Sequence, residues 1–244
     1  MTATVRLSLL ALALAGLACA GAGRPPAKER STMDSAPKSD LSRVDHVILG
    51  IADLQKGIEE LERRTGVRAA FGGAHPGRGT QNALISLGDR HYLEILAPNP
   101  EEKGNEATAE LLRLATLTPI GWAVHTDDIA GLRKSLTGPA AQAGEIRPGA
   151  RNRPDGTRLA WKTLEYAAPS SPLLPFFIEW DPSGAHASTT SPQGCRLAGL
   201  VLEDPNPVPP RDALRAGGVG VEVRKGKEPR IHLSLDCPKG RVDF

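Results

Sequence analysis

Two glutamates interrupt strands that are otherwise apolar. Glu94 sits in HYLEILAP between Leu93 and Ile95, and Glu179 sits in FFIEWDP between Ile178 and Trp180. Side chains alternate along a strand, so Glu94 shares a face with Tyr92 and Leu96. A carboxylate buried on such a face costs several kcal/mol unless it is paired or metal-bound. Carboxylates in that setting can act as general bases, removing a proton next to a carbonyl to leave an enolate. His46, at the start of VDHVILGIADL, is the third residue with chemistry to offer. His75 in the loop GGAHPGRGT, Asn82 behind it and His125 are candidates to face a substrate. Against these stand plainer roles: strand-end glutamates reaching solvent, a histidine bonded to its neighbour, a solvated loop histidine. Thr80 is read as a turn residue, and His186, His232, Cys195 and Cys237 as structural.

The elements that must position these residues occur twice. Aligning Asp53-Leu54 with Asp128-Ile129 lays VDHVILGIADL on PIGWAVHTDDI. Gly79-Thr80 then falls on Gly156-Thr157, and Glu94 on Glu179. The offsets are 128 − 53 = 75, 156 − 79 = 77 and 179 − 94 = 85, with the largest jump at the loop-like AAPSSPLLP. This spacing exceeds the roughly 20–50 residues of a solenoid repeat and indicates a duplicated module.

Module one (43–100) reads as a strand over 44–51, a helix over 53–65 capped by Asp53 and stopped by Gly66, and a short strand near 67–71. A glycine-rich loop over 72–79 follows, then strands over 82–87 and 91–96 joined at Gly88-Asp89. A helix over 107–117 links it to module two (118–185), with strands over 120–125, 144–147, 159–165 and 176–180 and a helix over 127–136. The tail, 189–244, reads as strands over 197–202, 219–223, 231–236 and 242–244 with a helix over 210–216. This repeats the order of the modules, as a reduced third copy would.

The chain opens as an export signal. Arg6 precedes a small, apolar run over 7–18, and Ala18-Cys19-Ala20 and Ala20-Gly21-Ala22 fit cleavage sites, placing a signal peptide or lipoprotein signal over 1–22. Cys19 is the residue that would carry a lipid, although Gly16 stands where bacterial lipoprotein signals usually have leucine. A start at Met33 would instead give a cytoplasmic protein. Residues 23–42 read as a disordered linker. The remaining, about 200 residues, suffice for one substantial core. A formal charge of +2 and 4% aromatics point away from nucleic acid and anionic membranes. The only membrane tether in view is a lipidated Cys19. Cys195 and Cys237 could pair in an exported chain, but two cysteines are not a disulfide framework.

Taken together, DHVILG, GTQNALISLG, YLEILAP, GWAVHTDDI and FFIEWDP resemble the glyoxalase-like domain group of the vicinal oxygen chelate superfamily, which includes glyoxalases, bleomycin resistance proteins and extradiol dioxygenases. The resemblance implies an α+β fold in which paired βαβββ modules form an open, curved barrel around a small-molecule cavity. It also implies a divalent metal (Zn, Fe, Mn or Ni) held by the first and last strands of each module. Carried over, its metal positions fall on His46, Glu94, Gly121 and Glu179. Gly121 has no side chain, which leaves His46, Glu94 and Glu179, an acceptable open set. His125 lies four residues past Gly121 on the same face, roughly 13 Å along the strand and out of reach.

Two functions are expected from this. The first is a metal-dependent isomerase, lyase or dioxygenase, with Glu94 and Glu179 catalytic and a metal stabilising the enolate. The second is a metal-free protein of the same fold that binds or sequesters a small organic ligand, as a monomer or homodimer. Gly121 favours the second; the repeated glutamates favour the first.

Overall fold

The computed structural model describes residues 39–102, 108–138, 141–153 and 156–244. The expected leader, Cys19 and Met33 lie outside the described residues. Module one comprises β1 (Val44–Gly50), α1 (Leu54–Thr65), β2 (Ala70–His75), β3 (Thr80–Ser86) and β4 (Tyr92–Pro98). Module two comprises β5 (Thr118–His125), α2 (Ile129–Ser135), β6 (Ala143–Asn152), β7 (Arg158–Tyr166) and β8 (Phe176–Trp180).

Their strands form one 8-stranded sheet in the order β2-β3-β4-β1-β5-β8-β7-β6. In each module the first strand pairs parallel with the last, β1 with β4 and β5 with β8, and the two first strands pair antiparallel at the centre. The duplication therefore becomes a pseudo-two-fold sheet. Its edges approach each other: Gly72 on β2 accepts a hydrogen bond from Arg151 on β6. Gly73 makes this approach feasible. It has φ +136, and a Cβ there would lie 2.7 Å from the Asn152 carbonyl oxygen.

Local chemistry explains the helices. Asp53 caps α1 by accepting from the Lys56 amide at 3.1 Å, and Gly66 ends it in the left-handed region. Leu54, Gly57, Ile58 and Leu61 form its buried face. A Cβ on Gly57 would meet Ile51 at 2.9 Å, so this glycine lets the helix settle close on the sheet. Asp128 caps α2 through the Gly131 amide in the same way.

Four expectations need correction. The glycine-rich stretch 72–79 is not all loop, because β2 runs through Gly72 and Gly73 to His75 and pairs with β3. No helix spans 108–117; a 3-10 turn at Leu111–Arg113 is followed by extended chain into β5. Pro119 and the β-branched Thr116 and Thr118 favour extension there, and Ala52 donates its amide to the Leu114 carbonyl. Residues 39–42, read as linker, are held on the tail: Ser39 Oγ bonds the Leu200 carbonyl and the Glu222 amide, and the Asp40 amide bonds Gly220.

The fourth correction concerns the tail. After α3 (Ala187–Thr190) come β9 (Arg196–Asp204), α4 (Val208–Ala216), β10 (Glu222–Lys225), β11 (Arg230–Cys237) and β12 (Gly240–Asp243). These strands form a separate 4-stranded sheet in the order β10-β9-β11-β12. The first strand pairs parallel with the second and antiparallel with the third, whereas a module pairs its first with its last. The tail thus shares the modules' element order but not their topology. Its apolar side joins the main core, with Leu200, Leu202, Leu233 and Leu235 continuous with Trp122, Val124 and Phe177. Cys195 and Cys237 form a disulfide joining the entry of β9 to the end of β11.

Candidate functional site

Inside the curved sheet lies a cavity of about 650 Å³. The alternating residues of each strand that point inward line it: His46 and Ile48 on β1, Tyr92, Glu94 and Leu96 on β4, and Phe176, Ile178 and Trp180 on β8. Module one supplies most of the polar groups, module two a largely aromatic and apolar wall.

His46 is held from below by its own neighbour. Alternation alone would put Asp45 on the opposite face. A register shift between β1 and β5 sets Val44 against Val124 and His46 against Ala123, so Asp45 is the extra residue. The Asp45 carboxylate, fully buried, accepts from His46 Nδ1 at 2.7 Å, and from Trp180 Nε1 and His186 Nε2 at 3.1 Å each. The Ser188 amide donates to His186 Nδ1, which assigns the His186 proton to Nε2. Burial alone would push the Asp45 carboxyl up, but the bonds from His186 and His46 outweigh it and hold it well below the ordinary carboxylate range. Asp45 is therefore an anion, and His46 carries its proton on Nδ1. Its Nε2 faces the cavity. Tyr92 stacks on the imidazole at 4.4 Å and Phe176 meets its edge at 5.5 Å.

Across from His46 Nε2, 3.7 Å away, is Glu94 Oε2. That gap is too long for a hydrogen bond. Glu94 Oε1 accepts from Asn82 Nδ2 at 2.7 Å, and the same amide nitrogen lies 3.2 Å from His75 Nε2. His75 Nδ1 reaches Thr80 Oγ1 at 2.9 Å, a pattern that puts its proton on Nδ1. Burial lowers the His75 pKa, opposed by Glu94 and assisted by Arg151, so the ring is neutral near pH 7. Asn82 commits its amide group to these two acceptors, and its buried Oδ1 has no partner among the described residues. Tyr92 stays a neutral phenol, because burial and the Asp45 and Glu94 charges raise its pKa.

Of the residues singled out from sequence, His46, His75, Asn82 and Glu94 meet at this cavity. Glu179 does not. It lies on the other face of β8, where its carboxylate accepts from the Ile129 amide at the start of α2 (2.7 Å) and from Lys162 Nζ (2.8 Å). Those two partners, the amide foremost, lower its pKa. His125 is also outside, beside Arg90 at 3.1 Å and Asp127 at 3.5 Å. The sheet register identifies the true counterpart of Glu94. β1 pairs Ile48 with Glu94, and β5 pairs Ala123 with Phe176. Ile48 and Ala123 are equivalent by the offset of 128 − 53 = 75 set by the two helix caps. Phe176 therefore occupies the position assigned to Glu179.

The four positions that the resemblance assigns to a metal thus carry His46, Glu94, Gly121 and Phe176. A glycine and a phenylalanine donate nothing, and two donors do not make the three-ligand set expected above. Among the described residues no group of three or more His, Cys, Asp and Glu is arranged to hold a metal ion. The residues present do not fit that metal centre.

Sequence reasoning missed Asp45, Trp180, His186, Tyr92 and Arg151. Asp45 is the instructive case. It adjoins His46 in the sequence, yet only the register shift brings both side chains to one network.

A sheet built from two βαβββ halves around a cavity defines the vicinal oxygen chelate fold. A family model described as a glyoxalase-like domain matches residues 44–216, and the chain belongs to that family. The match runs past the expected boundary at 188 and takes in α4. A hypothetical protein from Staphylococcus aureus has a crystal structure with TM-score 0.59 at 16% identity, covering 82% of this chain and 98% of that one. Methylmalonyl-CoA epimerase from Mycobacterium tuberculosis aligns with TM-score 0.42 at 17% identity, covering 58% of this chain and 89% of that one. The first of these likenesses speaks to fold alone. No curated protein sequence matches the chain.

Proposed function

We propose that this protein is an enzyme of isomerase or lyase type that moves a proton next to a carbonyl in a small organic substrate, using its own side chains as acid and base. The observation that carries this reading is the Asp45–His46 pair facing Glu94 across 3.7 Å at the wall of the cavity. Glu94 Oε2 is the base: the substrate C–H bond breaks, an O–H bond forms on Glu94, and the electron pair moves into the carbonyl as an enolate. The proton then returns to the enolate at a new position or face, or the electron pair expels a leaving group. His46 Nε2 is placed to relay that proton, while Asp45 fixes its tautomer and stabilises the imidazolium. Asn82 orients the carboxylate, and the apolar wall from module two excludes water.

The test is deuterium exchange at carbon, followed by proton NMR in D₂O over a panel of small 2-oxo and 3-oxo acids, esters and amides. The expected outcome is enzyme-dependent exchange on at least one compound, lost by about 10²–10⁴-fold in Glu94→Gln. Tight binding without exchange on any compound would favour the sequestering reading instead. Exchange that persists in Glu94→Gln would remove Glu94 from the chemistry.

An exported location is part of the proposal. It is supported by the apolar run over 7–18 and by the Cys195–Cys237 disulfide, a bond favoured in oxidising compartments.

A further inference from the structure

Arg151 carries a buried positive charge that the acid–base chemistry above does not use. Its residue is 5% exposed, and it lies on β6 at the wall of the cavity. One guanidinium nitrogen donates to the Gly72 carbonyl across the closing edges of the sheet. No described carboxylate lies within 4.0 Å of it. A buried cation with no ion pair among the described residues is costly, and burial accordingly lowers the Arg151 pKa, partly opposed by Tyr92 and Glu94. A guanidinium has five N–H donors, and its fork matches a carboxylate in two parallel bonds.

Several plainer explanations fall short. As a latch between β2 and β6, Arg151 needs only one neutral hydrogen bond, which does not call for a charge. Glu94, the nearest candidate for neutralisation, is already bonded to Asn82 on one oxygen and faces His46 with the other. Asp45 is saturated by three N–H donors. Among the described residues nothing neutralises it, and the charge is left for something that enters the cavity.

We infer that Arg151 is the anchor for a carboxylate on the substrate, so that the substrate class is a small carboxylic acid whose acidic C–H lies toward Glu94. The inference rests on the proton-transfer reading for its orientation, but its binding claim stands on Arg151 and the cavity. Arg78, exposed and also lining the cavity, adds a second positive charge. Apolar groups such as Leu96, Phe176 and Ile178 would take the remainder of a short-chain or aryl acid.

The experiment uses matched pairs of acid and amide, from acetate and acetamide to phenylacetate and phenylacetamide. Binding to the whole protein is read from the fluorescence of Trp161 and Trp180, both of which line the cavity, and confirmed by calorimetry. The expected result is that the wild type prefers the acid of at least one pair by about tenfold or more. Arg151→Met should erase that preference, and Arg151→Lys, which keeps the charge but not the fork, should retain part of it. Equal binding of acid and amide in every pair, absence of acid binding, or a preference that survives in Arg151→Met would overturn the assignment. Should Arg151→Met fail to fold, the wild-type pair comparison and Arg151→Lys still decide. Exchange at carbon on an uncharged ketone, with no acid preference, would overturn the anchor while leaving the proton-transfer reading intact. Acid preference without exchange would do the reverse.

Discussion

At the residue scale the site is a set of charges held in place by neutral donors. Asp45 is the clearest example, with three N–H groups converging on one buried carboxylate. Replacing it with Asn removes the charge and sets an NH₂ where N–H groups now donate, so His46 must change tautomer or lose its bond. Asp45→Asn should lower activity by about 10²–10⁴-fold, the range for a general acid–base group set in the wrong state. It should also lower stability at pH 7 by about 2 kcal/mol, the scale of a hydrogen bond to a charged group. Because the folded-state pKa of Asp45 is depressed, its contribution is complete above the unfolded value of about 3.9 and drains away as pH falls below it. Urea titrations at pH 7 and pH 3 should therefore show a smaller difference in the variant than in the wild type. An equal or larger acid loss in Asp45→Asn would contradict the assignment.

At the element scale, two strands of similar sequence do different work. β4 turns Glu94 into the cavity, whereas β8 turns Glu179 outward to the first turn of α2. A carboxylate at a helix N-terminus satisfies an amide that has no partner within the helix and complements the helix dipole. Glu179→Ala should therefore cost about 1 kcal/mol of stability and leave carbon exchange and metal content as in the wild type. Denaturant unfolding, the exchange assay and elemental mass spectrometry on the same preparation check this. Loss of a stoichiometric metal in Glu179→Ala would restore the three-ligand set and defeat the acid–base account. The confusion of Glu94 with Glu179 arises because both interrupt apolar strands. The sequence pattern around them does not record a three-residue slip in the preceding loop, and only the pairing of β5 with β8 resolves it.

At the scale of the whole molecule, the tail is a brace on the outside of the cavity-bearing sheet. Its own sheet joins the main core, Arg64 of α1 lies 3.9 Å over the Phe244 ring, and Lys239 donates to the last carbonyls of α1. Tyr166 Oη on β7 donates to the Ala213 carbonyl on α4, and burial pushes that phenol's pKa well above its ordinary value, so it stays a neutral donor. The disulfide spans a sequence separation of 42 residues within this brace. Replacing both Cys195 and Cys237 by Ala should cost about 2–4 kcal/mol, measured by thermal unfolding of the variant beside the wild type with and without reductant. The reductant should shift only the wild type. A double variant as stable as the oxidised protein would show that the apolar contacts of the tail suffice without the bond.

Much of the architecture was legible in the residues themselves, because it rests on local chemistry. The helix cap at Asp53, the match of Asp53-Leu54 with Asp128-Ile129, the stop at Gly66, strand alternation around Glu94 and the duplication of the two modules can all be read along the chain. They place α1, α2 and the strands that carry His46 and Glu94 within a few residues of where the structure has them. What the tertiary structure alone decided concerns which side chains meet. A register shift at Asp45 joins it to His46 and to His186, 141 residues away. Strand pairing puts Phe176 where a ligand was expected, and sheet curvature carries Arg151 on one edge to Gly72 on the other. These are long-range events. Each depends on hydrogen-bond register between distant strands, and that register is set by the packing of the whole sheet rather than by the neighbours of any one residue.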